Sequence, residues 1–425
     1  MEEGTAVTRT CSRVTRASVM VCGTLAFVAV AVVRAQQPPP PSRGGPPQAL
    51  SAPTGPTAAE TYMNIQVLKD IPADQLDLAM RFVAASLGFQ CGNCHVQEAT
   101  GEWSYAKDDK PTKNTAREMM KMVSVINAEN FNGQVRITCS TCHVGHNQPQ
   151  NARPPLAEML TPEQIAAMAA RQGRGPQGPP GGPGVGGAPP AGRGQGQPGQ
   201  PGPAGPPQQP VVALDDVLTK FLDALGGRSA IETLRSVVIS GTMTTRAAQS
   251  MAFTIEEKGP NRYRETQQTQ PAPAVRAFDG TDGWAQVGTR TTDLTGFQLQ
   301  QALRIADLGL PLQLKDKYQG LAPRRGTARI DGREAYIVTG RPAPGVAETL
   351  YFDVESGLLV RRGIATSTPL GQLAEQIDYR DYRGVAGVKM PFQITRTNWN
   401  TLDTLTVTEI TPNAPIDDAR FAKPK

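Results

Sequence analysis

Four cysteines and two histidines of this chain fall into two copies of one pattern, Cys91-Gly92-Asn93-Cys94-His95 and Cys139-Ser140-Thr141-Cys142-His143. In C-x-x-C-H the two thiols can form thioethers with the two vinyl groups of a haem, while the adjacent imidazole binds iron from one face. The covalent tether fixes the porphyrin edge beside its ligand. Other uses of paired cysteines fit less well. A zinc ribbon spaces its pairs by about 15–20 residues, whereas 44 residues separate Cys94 from Cys139. A dithiol oxidoreductase places one C-x-x-C at a strand-to-helix junction, and here a helical pattern precedes the motif. Two disulfides would leave His95 and His143 without a role. The expected cofactors are therefore two covalently bound haem c groups, attached through Cys91, Cys94, Cys139 and Cys142, with His95 and His143 as axial ligands.

A haem iron held by one His has either an open distal position or a second protein ligand. His146 is the only further imidazole, so at most one haem could be bis-His. Methionine, a soft thioether that favours reduced iron, is the alternative. From Asp74 to Gly88 the pattern is helical, with Leu76, Met80, Val83 and Leu87 on one face and Gly88 as the stop. A reversal after Gly88 would lay the Met80 face over the first haem. In the second unit Thr115 and Glu118 read as a capping box opening a helix whose stripe is Met119, Met122, Val123 and Ile126, with Met120 off it. Met119 is the preferred distal ligand there; Met122 and His146 are the second choices.

The segment from Met63 to His146 resembles the cytochrome subunit of photosynthetic reaction centres. The residues that carry the likeness are Asn64-Ile65-Gln66-Val67-Leu68, Met80 through Leu87-Gly88 to the first motif, Ala116-Arg117-Glu118-Met119-Met120-Lys121-Met122-Val123 with Ile126-Asn127, and Thr138 before the second motif. In that family a helix, a turn and a C-x-x-C-H serve each haem, and a Met on the helix is the usual distal ligand. The resemblance thus implies Met80 for the first haem and Met119 over Met122 for the second. It implies single-electron transfer between redox donor and acceptor proteins. The family's subunit typically carries four haems and this chain has two motifs, so exported two-haem relatives are the better comparison than a reaction-centre donor.

The chain has 425 residues, a net charge of +5 from 43 basic and 38 acidic residues, and no dense basic run; nucleic acid is excluded as an expected partner. Glycine and proline are concentrated in residues 36–57 and 173–210. Residues 173–210 hold 14 Gly, 12 Pro and 6 Gln without strict every-third spacing, which reads as a solvated tether rather than collagen. Arg9, Arg13 and Arg16 precede an apolar run from Ala17 to Val33, and Val33-Arg34-Ala35 supplies a cleavage site after Ala35. An uncleaved membrane anchor is the alternative, and bulky Val21 before Cys22 argues against a lipoprotein. Either way the remainder faces an exported compartment, with a periplasmic location expected. Cys11 and Cys22 fall in the leader, and a short capped helix is expected over Thr161 to Gln172.

The expected organisation is a signal peptide (1–35), a Pro-rich segment (36–57), an all-α dihaem cytochrome c domain (58–172), a linker (173–210) and an α+β, mostly antiparallel half-barrel-like domain (211–425). In the last, a helix from Leu214 to Leu225 ends at Gly226-Gly227. Strands follow at Ser236–Thr244, Ala252–Ile255, Trp284–Val287, Ala335–Thr339, Thr349–Val354, Leu358–Arg362 and Gln393–Asn398, with a helix within Leu294 to Tyr318. Phe278-Asp279-Gly280-Thr281-Asp282-Gly283-Trp284, Tyr351-Phe352-Asp353-Val354-Glu355-Ser356-Gly357-Leu358-Leu359, and Asp378-Tyr379-Arg380-Asp381-Tyr382 through Gly387-Val388-Lys389-Met390-Pro391 resemble outer-membrane lipoprotein carrier-like domains. That likeness implies a curved half-barrel able to hold acyl chains, hence contact with a membrane, lipid or partner. With no His or Cys after His146, this domain offers no haem ligand. The chain reads as an electron carrier rather than an enzyme. The alternatives are a peroxidase or small-oxyanion reductase with an open distal site, and a lipid- or lipoprotein-binding module with accessory haems.

Overall fold

Leucine, phenylalanine and alanine at helical spacing, ended by a glycine, make the first long helix among the described residues. The computed structural model describes residues 55–149, 212–305 and 307–424. The leader with its cleavage point, Cys11, Cys22, residues 36–54, the Thr161–Gln172 helix and the 173–210 linker lie outside them.

A one-turn helix α1 (Ala58–Thr61) is opened by a capping box, in which Thr57 and Glu60 satisfy each other's backbone donors. A 3-10 turn at Ala73–Gln75 leads into α2 (Leu76–Leu87). Gly88 closes α2 in the left-handed conformation at φ 65°, which a residue without Cβ adopts freely. A Cβ there would also lie 2.3 Å from the Gly145 carbonyl oxygen. The buried face of α2 is Leu78, Ala79, Phe82, Val83 and Ser86. The expected stripe of Leu76, Met80 and Leu87 is only half-buried, because the face that packs on Leu373 carries Leu78 and Phe82.

Helix α3 runs from Pro111 to Asn130. It begins four residues before the expected capping box: Pro111, with its preset φ, takes the first helical position after extended Lys110. Thr115 is inside the helix and bonds back to the Pro111 carbonyl at 3.2 Å. The buried face of α3 is Lys113, Arg117, Met120 and Asn127, so Met120 turns in and Met119 and Met122 turn out, the reverse of the expected stripe. Short α4 (Cys139–His143) follows. A two-stranded ribbon, β1 (Val96–Gln97) with β2 (Trp103–Ser104), interrupts the all-α pattern.

The C-terminal part is one thirteen-stranded antiparallel sheet carrying helices. Helix α5 (Leu214–Leu225) and α6 (Arg228–Glu232) precede β3 (Ser236–Thr244), β4 (Ser250–Lys258), β5 (Arg262–Gln267), β6 (Ala274–Phe278), β7 (Gly283–Val287) and β8 (Arg290–Leu294). After α7 (Gly296–Ile305) and α8 (Leu314–Lys317) come β9 (Gln319–Ile330), β10 (Arg333–Ala343), β11 (Val346–Asp353), β12 (Leu359–Thr368), β13 (Gly371–Val385), β14 (Val388–Thr397) and β15 (Leu402–Pro412). Each strand pairs with its sequence neighbours in two meanders, which β3 and β15 join in the register Met243↔Leu405 and Ile239↔Ile410. β8 and β9 are the edges.

Two apolar clusters hold this part together. One packs Val217, Leu218 and Phe221 of α5 on Leu350, Phe352 and Val338; the other gathers Phe253, Tyr263, Phe278 and Leu405 under Ala302 of α7. Charges are buried beside them. Glu348 accepts hydrogen bonds from Tyr318 (2.6 Å) and Arg362 (2.9 Å), and Glu265 accepts from Arg396 (3.0 Å to each oxygen) and Tyr263 (2.5 Å). Among the described residues no helix is long and apolar enough to cross a membrane.

Candidate haem-binding site

Each C-x-x-C-H winds into a single turn. In the first, Cys91–Asn93 form a 3-10 turn, and the amides of Cys94 (3.2 Å) and His95 (2.9 Å) both donate to the Cys91 carbonyl. The Asn93 side chain caps the turn by accepting from the Gln90 amide at 2.8 Å. In the second, Thr141 caps in the same way, accepting from the Thr138 amide at 3.0 Å. Two thiols one turn apart with an imidazole beside them is the local geometry that a vinyl-linked porphyrin requires. All four cysteines are unpaired thiols; Cys91 and Cys142 are exposed.

The first turn is stapled to the start of α3. Lys110 Nζ donates to the Gly92 carbonyl and Thr112 Oγ1 to the Asn93 carbonyl. Trp103 lies so close to Gly92 that a Cβ there would crowd its ring at 3.2 Å. The Tyr105 ring sits edge-on to His95, with centroids 5.0 Å apart. Lys113 Nζ, buried, donates to the carbonyls of Tyr105 (2.8 Å) and Lys107 (2.7 Å), and Asp108 pairs with Lys113 and Arg117 at 2.9 Å each. Hydrogen bonds from Arg117, Asn64 and Lys113 hold the Asp108 carboxyl well below the usual carboxylate range. Burial, helped by the Lys113 charge, lowers His95; burial also raises the Cys94 thiol.

The second turn is held by α2 instead. Ser86 Oγ and Ser140 Oγ are 2.7 Å apart, and the Gly145 amide donates to the Ser86 carbonyl at 2.8 Å. Asn127 of α3 clamps the approach: its Oδ1 accepts from the amides of Arg136 (3.0 Å) and Ile137 (2.9 Å), and its Nδ2 donates to the Ile137 carbonyl (2.7 Å). His143 Nδ1 donates to the His146 carbonyl at 3.0 Å, which makes Nε2 the basic nitrogen of that ring. His146 therefore enters the structure through its backbone rather than its ring. Burial pushes the Cys139 thiol up.

The first turn thus rests on the start of α3, and the second on α2 with Asn127 of α3 holding its approach. Met80 is half-buried on α2; Met119 and Met122 are 38% and 45% exposed on α3, and Met120 is 9% exposed. Sequence reasoning missed Lys110, Lys113, Arg117, Asp108, Ser86 and Ser140. A charged residue at helical spacing looks like a solvated face, and only the fold reveals that Lys113 and Arg117 point inward.

These residues fit a covalently attached haem. Each motif supplies two thiols and an adjacent imidazole, His95 Nδ1 is buried without a hydrogen-bond partner, and the tautomer of His143 suits metal binding. Only six apolar residues are buried in 55–149, against thirty-two in the described residues of 212–424. Met119, Met122, Val125 and Val144 of the same segment are exposed.

A helical segment bearing two C-x-x-C-H turns, joined to a large antiparallel sheet, is the class that this fold and site define. Residues 30–174 match the family of the photosynthetic reaction centre cytochrome C subunit. The chain is 36% identical over 103 residues to the photosynthetic reaction center cytochrome c subunit of Thermochromatium tepidum, covering 23% of this chain and 24% of that one. It is 33% identical over 96 residues to cytochrome c-554 of Chloroflexus aurantiacus, covering 21% of each. The chain thus spans about a quarter of the length of these curated relatives. A LolA superfamily protein of Nitrosomonas europaea aligns at 13% identity and TM-score 0.35 over 50% of this chain and 98% of its own. A DUF1329 family protein of Desulfovibrio piger aligns at 10% identity and TM-score 0.38 over 49% and 97%.

Proposed function

We propose that the protein is an exported dihaem c-type cytochrome that passes single electrons between redox partners in the periplasm or at the membrane surface. The observation that carries this reading is the pair of one-turn C-x-x-C-H motifs with four free thiols. Cys91 and Cys94 hold one haem and Cys139 and Cys142 the other. His95 and His143 are the proximal ligands, Met80 the distal ligand of the first haem and Met119 that of the second, with Met122 and His146 the next choices. Bound haem would supply a ferric/ferrous couple carrying one electron at each site. The partial exposure of Met119 leaves its thioether free to ligate iron, and the Nδ1 bond of His143 orients its ring. The leader directs export, and the 173–210 linker tethers the two domains.

In the same reading the C-terminal sheet acts by binding a partner or the envelope. Its helix-covered face holds the two apolar clusters and the buried Glu348 and Glu265 ion pairs, which favours contact through its other surfaces. Optical spectroscopy of the purified protein tests the electron-transfer assignment. Two low-spin haems with a methionine-linked near-infrared band are expected. A high-spin haem that shifts on adding carbon monoxide or peroxide would replace this reading with a haem enzyme.

A further inference from the structure

Two hairpin ends of the C-terminal sheet reach the second C-x-x-C-H. Leu370 lies between β12 and β13, Leu373 two residues into β13, and Trp399 between β14 and β15. These three pack in one cluster with Leu78 and Phe82 of α2 and with Cys139 itself. The contact is close: a Cβ on Gly371 would lie 2.4 Å from Phe82 Cζ, so the hairpin offers a glycine where the phenyl ring seats. Both hairpin ends are held locally. Thr368 Oγ1 accepts from the Leu370 amide at 3.1 Å, and Asn398 Oδ1 accepts from the amides of Asn400 (3.0 Å) and Thr401 (2.9 Å) across the bend.

Cys139 is a point of attachment, so whatever packs on it borders the porphyrin edge that it would hold. The first motif has a different border, made of Lys110, Thr112 and Trp103 from its own segment. We infer that the C-terminal sheet forms part of the wall of the second haem site, with Leu370, Leu373 and Trp399 as positioning residues that cover one edge of that haem. The inference rests on the haem assignment above. An apolar cover disfavours the more highly charged ferric state, so it raises the reduction potential of the haem it covers and leaves the other unaffected.

The test is a spectroelectrochemical titration of the full-length, haem-loaded protein and of two single variants, Trp399→Ser and Leu370→Ser. Both positions are only partly buried hairpin residues, so the sheet is retained. Far-UV circular dichroism checks this. One of the two midpoint potentials should fall in each variant, the same one in both, while the other stays. The shifted component should be the one lost when Cys139 and Cys142 are replaced by Ser. Two haems per chain with both potentials unmoved, or moved equally, would overturn the inference while leaving the haem assignment intact. Peptide mass spectrometry that finds Cys139 and Cys142 without haem would overturn the assignment itself, and the inference with it.

Discussion

Replacing Glu265 by Gln should cost the C-terminal sheet about 3 kcal/mol at neutral pH, and the loss should disappear in acid. The Glu265 side chain is 8% exposed. Burial alone would raise its pKa, but the Arg396 charge and the hydrogen bonds from Tyr263, Gln267 and Arg396 outweigh burial and hold it at about 2, against an ordinary 4.5. At about 1.4 kcal/mol for each pH unit, that gap is worth about 3 kcal/mol. Removing one member of a buried ion pair costs about 3–5 kcal/mol by mutational experience, and the two routes agree. Because the folded-state pKa is depressed, the stabilisation is fully present above the unfolded value near 4.5 and is lost as pH falls through about 2. Urea unfolding followed by far-UV circular dichroism at pH 7, 4 and 2.5 measures it. The parent should exceed E265Q by about 3 kcal/mol at pH 7, with the difference narrowing steadily below pH 4.5. A variant within about 0.5 kcal/mol of the parent at pH 7, the range of an ordinary surface change, would refute the reasoning. So would a difference that does not change with pH.

Gly371→Ala should loosen the seat of Phe82, since the new methyl would lie 2.4 Å from the ring; overpacking of this kind costs about 1–3 kcal/mol. Hydrogen exchange should quicken in α2 while β4 and β5 keep their protection, and adding Phe82→Leu should recover part of the loss. Unchanged exchange in α2 would count against the contact. Met80→Ala and Met119→Ala should each convert one haem toward high spin or sharply lower its potential, read from absorption spectra and redox titration. A variant that leaves both haems as they were would remove that methionine from the ligand set.

Some of this molecule is legible in its residues because the cause is local. α5 runs from Leu214 to Leu225, as its periodicity and the following Gly226-Gly227 indicate, and β3 from Ser236 to Thr244, as its strand-like run indicates. The two motifs coil as their spacing requires, since a turn depends only on neighbours. What is not legible depends on partners far along the chain. β5 reads Arg262-Tyr263-Arg264-Glu265-Thr266-Gln267, a polar run that does not signal a buried strand until Arg396, 131 residues away, neutralises Glu265. Helix α3 misleads for the same reason. Lys113 and Arg117 turn inward because Asp108 and the carbonyls of residues 105–107 await them, which leaves Met119 outside and Met120 inside. The β13 strand was hidden by its charges, and with it the hairpin that meets Cys139.

The account's central claim is that both C-x-x-C-H turns carry haem. A pyridine haemochrome assay combined with intact-protein mass spectrometry tests it most directly. It requires the exported full-length chain produced in cells with haem-attachment machinery. The account predicts two covalently bound haem c groups per chain, falling to one when Cys139 and Cys142 are replaced by Ser and to one when Cys91 and Cys94 are. A chain that leaves such cells with no covalent haem, or with its four cysteines joined as disulfides, would contradict it.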